Sequence, residues 1–142
     1  MDPAFWDSSA LVPLCVQQIP SPLAKSLSER YNMVVWWAAP VEIRGAFTRL
    51  IRMGQLTSNQ NVGAQVRLQG LRSKWLEISP YPALRDRAES LLDRFPLKAA
   101  DSLQLAAAIL WSSGKPRGRV FLSGDMQLLQ AAEALGFLAI GV

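Results

Sequence analysis

Five short apolar runs are spaced along the chain: Ala4 to Trp6, Met33 to Trp37, Trp75 to Ile78, Val120 to Leu122 and Phe137 to Ile140. Each has the length of a strand. Between them the apolar residues recur at helical spacing. Pro40 can occupy a first helical turn, and Ile43, Phe47, Leu50 and Ile51 follow on one face up to Gly54. Ala64, Leu68, Leu71 and Trp75 continue the pattern, as do Leu84, Ala88, Leu91 and Phe95. The stretch LKAADSLQLAAAILW is apolar nearly all round, as expected of a helix packed on a sheet and covered by others. It ends in a basic loop, SSGKPRGR, and MQLLQAAEALG gives one more helix before the last run. Strands alternating with helices predict an α/β fold with a central, mainly parallel sheet. In such sheets functional groups collect beyond the carboxyl ends of the strands.

The chain has 142 residues, half of them hydrophobic, and no repeat or long linker, so a single domain over residues 1–142 is expected. The longest apolar stretch, LAAAILW, is far short of the roughly 20 residues of a membrane span. The start MDPAFWDSS lacks a basic segment followed by an apolar one, so no export and no membrane association are expected. The one cysteine, Cys15, lies in the apolar run LVPLCV and reads as a buried, inert thiol, which fits a reducing, cytoplasmic location. There is no histidine, which excludes histidine-based triads, imidazole acid–base chemistry and histidine metal ligands. Lys plus Arg number 15 against 11 acids, a net charge of +4 that points towards a polyanionic partner.

Asp7 stands in the apolar segment FWDSSALVPL, and a charge among core residues must be paired, exposed at an element's end or bound to metal. Three other acids occupy comparable places. Glu42 falls in the first turn of the helix after the second strand, Asp101 starts the apolar helix, and Asp125 follows VFLSG. Singly, Asp7, Asp101 and Asp125 read as helix caps and Glu42 as a complement to its helix's positive end. Together they read differently, because strand ends in a parallel sheet lie side by side. Several carboxylates cannot stay ionised close together without a cation, and a hard divalent ion, Mg²⁺ or Mn²⁺, prefers oxygen ligands. An acidic pocket within a basic surface suits phosphodiester cleavage.

DSSALV, VEIRGAFTRL, LKAADSLQLAAA and FLSGDMQLLQAAEALGF resemble, in order and spacing, the successive motifs of the PIN-domain nuclease family, and within it the VapC-type toxins. The likeness spans Asp7 to Gly136. It implies a PIN-like three-layer α/β/α fold and a Mg²⁺- or Mn²⁺-dependent endoribonuclease. It also implies a homodimer held inactive by a VapB-like antitoxin whose tail occupies the acidic groove. On this resemblance Asp7, Glu42, Asp101 and Asp125 are the catalytic, metal-holding acids, with Ser9 and Ser123 as polar supports. The sequence departs from the pattern in a first strand that is very short behind Pro3, and in Gln104, where relatives often carry histidine.

Arg44, Arg49, Arg52, Arg67, Arg72 and Lys74 on or after the helices that follow Glu42 form either a solvated face or a phosphate-contacting rim. Arg44, two residues past Glu42, is the expected RNA contact. Trp36 and Trp37 are either core or a base-stacking platform. Leu68, Leu71 and Trp75 suit a core face or a dimer or antitoxin surface. The alternative functional reading is a non-catalytic PIN-like module that binds RNA or protein. A phosphatase using Asp7 as nucleophile fits less well, because haloacid-dehalogenase-like enzymes place a second aspartate where this chain has Ser9.

Overall fold

Every strand pairing in the sheet is parallel, and the inner strands β1, β2 and β4 are covered on both faces, which explains why they read as plain apolar runs, while the edge strands β3 and β5 stay partly exposed. The computed structural model describes residues 1–142. In chain order its elements are β1 (Asp2–Trp6), α1 (Ser8–Cys15), α2 (Pro22–Arg30), β2 (Tyr31–Trp36), α3 (Ala39–Arg52), α4 (Ser58–Arg72), β3 (Leu76–Ile78), α5 (Pro82–Arg94), α6 (Ala99–Trp111), β4 (Val120–Ser123), α7 (Met126–Leu135) and β5 (Leu138–Gly141). The strand order is β3-β2-β1-β4-β5. The chain therefore builds outward from β1 in one direction, then crosses back to build in the other. The reversal falls between β1 and β4, and in open α/β sheets the crevice beyond the carboxyl ends at such a point is the usual ligand site.

Side chains of β1 alternate between two cores. Ala4 and Trp6 join Leu11, Ile43, Phe47 and Leu68 under α1, α3 and α4. Phe5 joins Leu84, Leu105, Phe121, Leu128 and Phe137 under α5, α6 and α7. On that second face Phe5 stacks on Phe121 at 5.5 Å, and Phe121 meets Phe137 at 5.6 Å. The three layers are thus helices, sheet, helices.

Several expected boundaries shift. The first strand is longer than expected and takes in Pro3. The lost N–H is tolerated because Pro3 is paired with β2 alone; the ladder to β4 starts at Ala4. Helix α4 stops at Arg72, so Trp75 packs into the core from the connection to β3 and Leu68 from the helix itself. Two helices were not laid out from the apolar pattern: α1, anticipated only through Asp7 as a possible cap, and α2. Pro13 inside α1 masks the first, since a proline there removes an i→i−4 hydrogen bond. The second is short and polar, yet it opens with Ser21 accepting from Ala24 N at 3.1 Å and Pro22 in the first turn, a start signal present in the sequence. Cys15 is buried, and its thiol is pushed up to about 12 by that burial, against the pull of nearby Arg67. No helix is long and apolar enough to cross a membrane.

Candidate active site

β1 ends at Trp6, and the chain turns at once into α1, with Asp7 as its N-cap. Asp7 N donates to Leu122 O at 2.9 Å, which pins this turn to β4 across the reversal point. The carboxylate is only 4% exposed. Its Oδ2 accepts from Ser9 N at 3.3 Å, from Ser9 Oγ, and from Ser123 Oγ at 2.9 Å. Ser9 Oγ also takes Gly124 N at 2.8 Å, and Ser123 Oγ takes Asp125 N at 2.9 Å. The two serines therefore lock the ends of β1 and β4 together around one carboxylate oxygen.

Glu42 reaches the same cleft from α3. Its Oε1 accepts from Ser8 Oγ at 2.7 Å and from Gln104 Nε2 at 2.8 Å, and Gln104 Nε2 also donates to Ser8 Oγ at 2.8 Å. Gln104 is fully buried on α6 and its Oε1 has no hydrogen-bond partner. Asp101 lies one turn earlier on α6, and Asp125 is the N-cap of α7, accepting from Leu128 N at 3.0 Å. Asp7, Ser8, Ser9, Glu42, Asp101 and Asp125 thus line one open cleft of about 360 Å³, joined by Arg49 of α3.

Crowding shows in the ionisation of two acids. Burial pushes the carboxyl of Asp7 above its ordinary range; the bonds from Ser9 and Ser123 pull it down, and the charge of Glu42 pushes it up again. Asp101 is raised first by burial, then by the negative charges of Asp125 and Asp7, with Lys98 opposing. All four acids expected from the sequence meet here.

The cap readings divide. Asp7 and Asp125 are caps and cleft residues at once. Asp101 is no cap: the N-cap of α6 is Lys98, which makes no side-chain cap bond, and Asp101, an acid in the first turn, lines the cleft. Arg44 does not line the acidic cleft. Two residues on from Glu42 it lies on the other side of α3, beside Trp37 and Arg72, whereas Gly45, Ala46 and Arg49, at helical spacing from Glu42, share its face. Arg67, offered as part of a phosphate rim, instead donates from Nε to Cys15 O at 2.5 Å and ties α4 to the end of α1.

The donor set suits a hard cation because every acidic and polar side chain pointing into the cleft from Asp7, Ser8, Ser9, Glu42, Asp101 and Asp125 offers oxygen. No three of the acids are gathered as a set that could hold a metal ion between them, so contact with a cation here would run through one or two carboxylates and through waters.

An acidic cleft at the reversal point of a three-layer, all-parallel α/β sheet defines the class of this molecule. Solved structures share its fold, among them the following two. A chain of a toxin-antitoxin complex from Klebsiella pneumoniae is 17% identical, with a TM-score of 0.60 over 87% of this chain and 88% of that one. PAE2754 from Pyrobaculum aerophilum is 19% identical, with a TM-score of 0.65 over 92% of this chain and 79% of that one. The fold is PIN-like, as the sequence motifs implied. No protein-family model and no curated protein matches the sequence.

Proposed function

We propose that this chain is a Mg²⁺- or Mn²⁺-dependent endoribonuclease of the VapC toxin type, held in check by a VapB-like antitoxin and acting as a homodimer. The observation that carries the reading is the convergence of Asp7, Glu42, Asp101 and Asp125, from four separate segments, on one cleft of a chain whose net charge is +4. Carboxylates raised by burial and mutual repulsion, as Asp7 and Asp101 are, favour a cation as guest. The fold likeness to a chain of a toxin-antitoxin complex supports the antitoxin partner.

When bound, a divalent ion would neutralise phosphate charge and make a water more acidic. Asp7, Glu42 and Asp101 would hold it, partly through water because no three acids gather closely enough to bind it directly, with Asp125 completing the shell through water or serving a second ion. Ser9 and Ser123 keep the Asp7 carboxylate turned into the cleft, and Ser8 and Gln104 do the same for Glu42. Arg49 supplies a positive charge on the cleft wall for a phosphate oxygen. No side chain serves as nucleophile; water adds across one P–O bond and leaves a phosphate end and a hydroxyl end.

The test is incubation of the purified chain with structured RNA in Mg²⁺ or Mn²⁺ and in excess chelator. Cleavage in the first and none in the second is expected. Cleavage undiminished by chelator would overturn the mechanism, and RNA binding without cleavage in any metal would return the chain to the non-catalytic alternative.

A further inference from the structure

Trp36 and Trp37 are neighbours in sequence and opposite in fate. Trp36 closes β2 and is 4% exposed, while Trp37 is 54% exposed. The exposed ring is nonetheless fixed. It meets Trp36 edge-on, with centroids 6.3 Å apart at 66°, and its backbone N–H donates to Ile78 O at 3.1 Å. With Pro40, Val41, Arg44, Arg72 and Glu77 it lines a depression of about 280 Å³. Glu77, the one acid there, already accepts from Trp75 Nε1 at 3.0 Å.

Trp37 follows the carboxyl end of β2 as Asp7 follows that of β1, while Arg72 at the end of α4 and Glu77 within the edge strand β3 extend the depression along that side of the sheet. Helix α3 is the common wall of the depression and the acidic cleft: Val41 and Arg44 face one, Glu42 and Arg49 the other. The two are separated by the width of that helix, about 10 Å. A stacked nucleic-acid strand rises about 3.4 Å per nucleotide, so it covers that gap in a few nucleotides.

A rigid indole face flanked by two guanidinium groups has the two parts that hold single-stranded nucleic acid, a stacking surface for a base and cations for the phosphates beside it. A base inside a duplex has no free face to offer. We propose that Trp37, Arg44 and Arg72 form a subsite for one unpaired nucleotide flanking the scissile bond, with its base on Trp37 and its phosphates against the arginines. The proposal rests on the ribonuclease reading and gives that enzyme a preference for RNA that is unpaired next to the cut. It also moves Arg44 from the rim of the acidic cleft to this neighbouring subsite.

The experiment compares wild type, Trp37→Ala and Trp37→Phe for binding of a short unpaired oligoribonucleotide and of the same sequence as a duplex in excess chelator, and for kcat and KM of cleavage in Mn²⁺. Trp37→Ala is expected to weaken binding of the unpaired strand roughly tenfold and to raise KM in step, with Trp37→Phe recovering most of the loss and duplex affinity little changed. RNA should quench the tryptophan fluorescence of wild type more than that of Trp37→Phe. As an independent arm, Arg44→Gln combined with Arg72→Gln should lower the salt slope of binding by about 1.4, the value for two lost phosphate contacts on a single strand. Wild type that binds and cleaves RNA beside a Trp37→Ala protein with equal affinity and KM would overturn the subsite, leave the nuclease reading standing and mark the ring as a protein contact. Wild type that neither binds nor cleaves RNA would overturn both.

Discussion

At the scale of single residues, Asp101 is the most informative position in the cleft because it is the one aspartate of the site with no capping duty. Asparagine there removes a charge that burial, Asp125 and Asp7 all disfavour. Asp101→Asn is therefore expected to lower RNA cleavage by more than about 100-fold while the metal-free protein melts at or above wild type. Mn²⁺ should raise the melting temperature of wild type and raise that of the variant much less, because a ligand stabilises the state that binds it. Melting curves with and without the ion, beside a cleavage assay, check both halves, and full activity in the variant would remove Asp101 from the site. The raised carboxyls of Asp7 and Asp101 also set a pH dependence. Between the unfolded value near 3.8 and the higher folded one, the folded chain binds more protons, so these two groups favour folding more as pH falls. Metal-free protein should gain stability from them as pH falls through the raised folded values towards 3.8, and an Asp7→Asn, Asp101→Asn double variant should show a flatter profile. A wild-type profile that falls monotonically and matches the double variant would contradict the crowding.

At the scale of elements, α7 starts on a residue of the cleft, so its stability and the chemistry of the site share Asp125. Asparagine keeps the bond to Leu128 N and alanine does not. Asp125→Asn should keep wild-type stability and lose cleavage, whereas Asp125→Ala should lose cleavage and in addition about 1 kcal/mol of stability. Urea unfolding of the two variants separates the effects, and equal stability would show that the cap bond contributes nothing. The elements also show what could be read from the sequence. All five strands and five of the seven helices were legible, because each carries an apolar run or a helical period. α1 was hidden by Pro13 and α2 by its polar composition. The four acids were legible because each follows a strand or opens a helix. Arg49 was named only within the broad set of possible phosphate contacts, Gln104 only as a departure from the family pattern, and Ser8 was given no role, although Arg49 lies at helical spacing from Glu42 and Gln104 from Asp101; the signal was phase along a helix, which matters only once one member of the face is known to point into the cleft.

At the scale of the whole molecule, the order of the strands was the part that no local pattern gave. Nothing in FWDSS says that β1 is central, yet that placement is what brings Asp7 against Ser123 and puts the site at the reversal point. The sheet then depends on the aromatic row that joins β1, β4 and the start of β5. Phe121 is fully buried between Phe5 and Phe137. Phe121→Ala is expected to cost about 3 to 5 kcal/mol in urea unfolding, and a loss below about 1 kcal/mol would show that this face of the sheet repacks freely.

The double employment of Asp7 and Asp125 bears on how such a fold ages. A lineage that no longer cut RNA would still be selected to fold, and both residues start helices. They would persist as aspartate or asparagine for that reason alone. Glu42 and Asp101 cap nothing and gain only the weaker benefit of an acid in a first helical turn, so in a silent descendant they would drift first. Their presence together in this chain is accordingly the better sign of a working site.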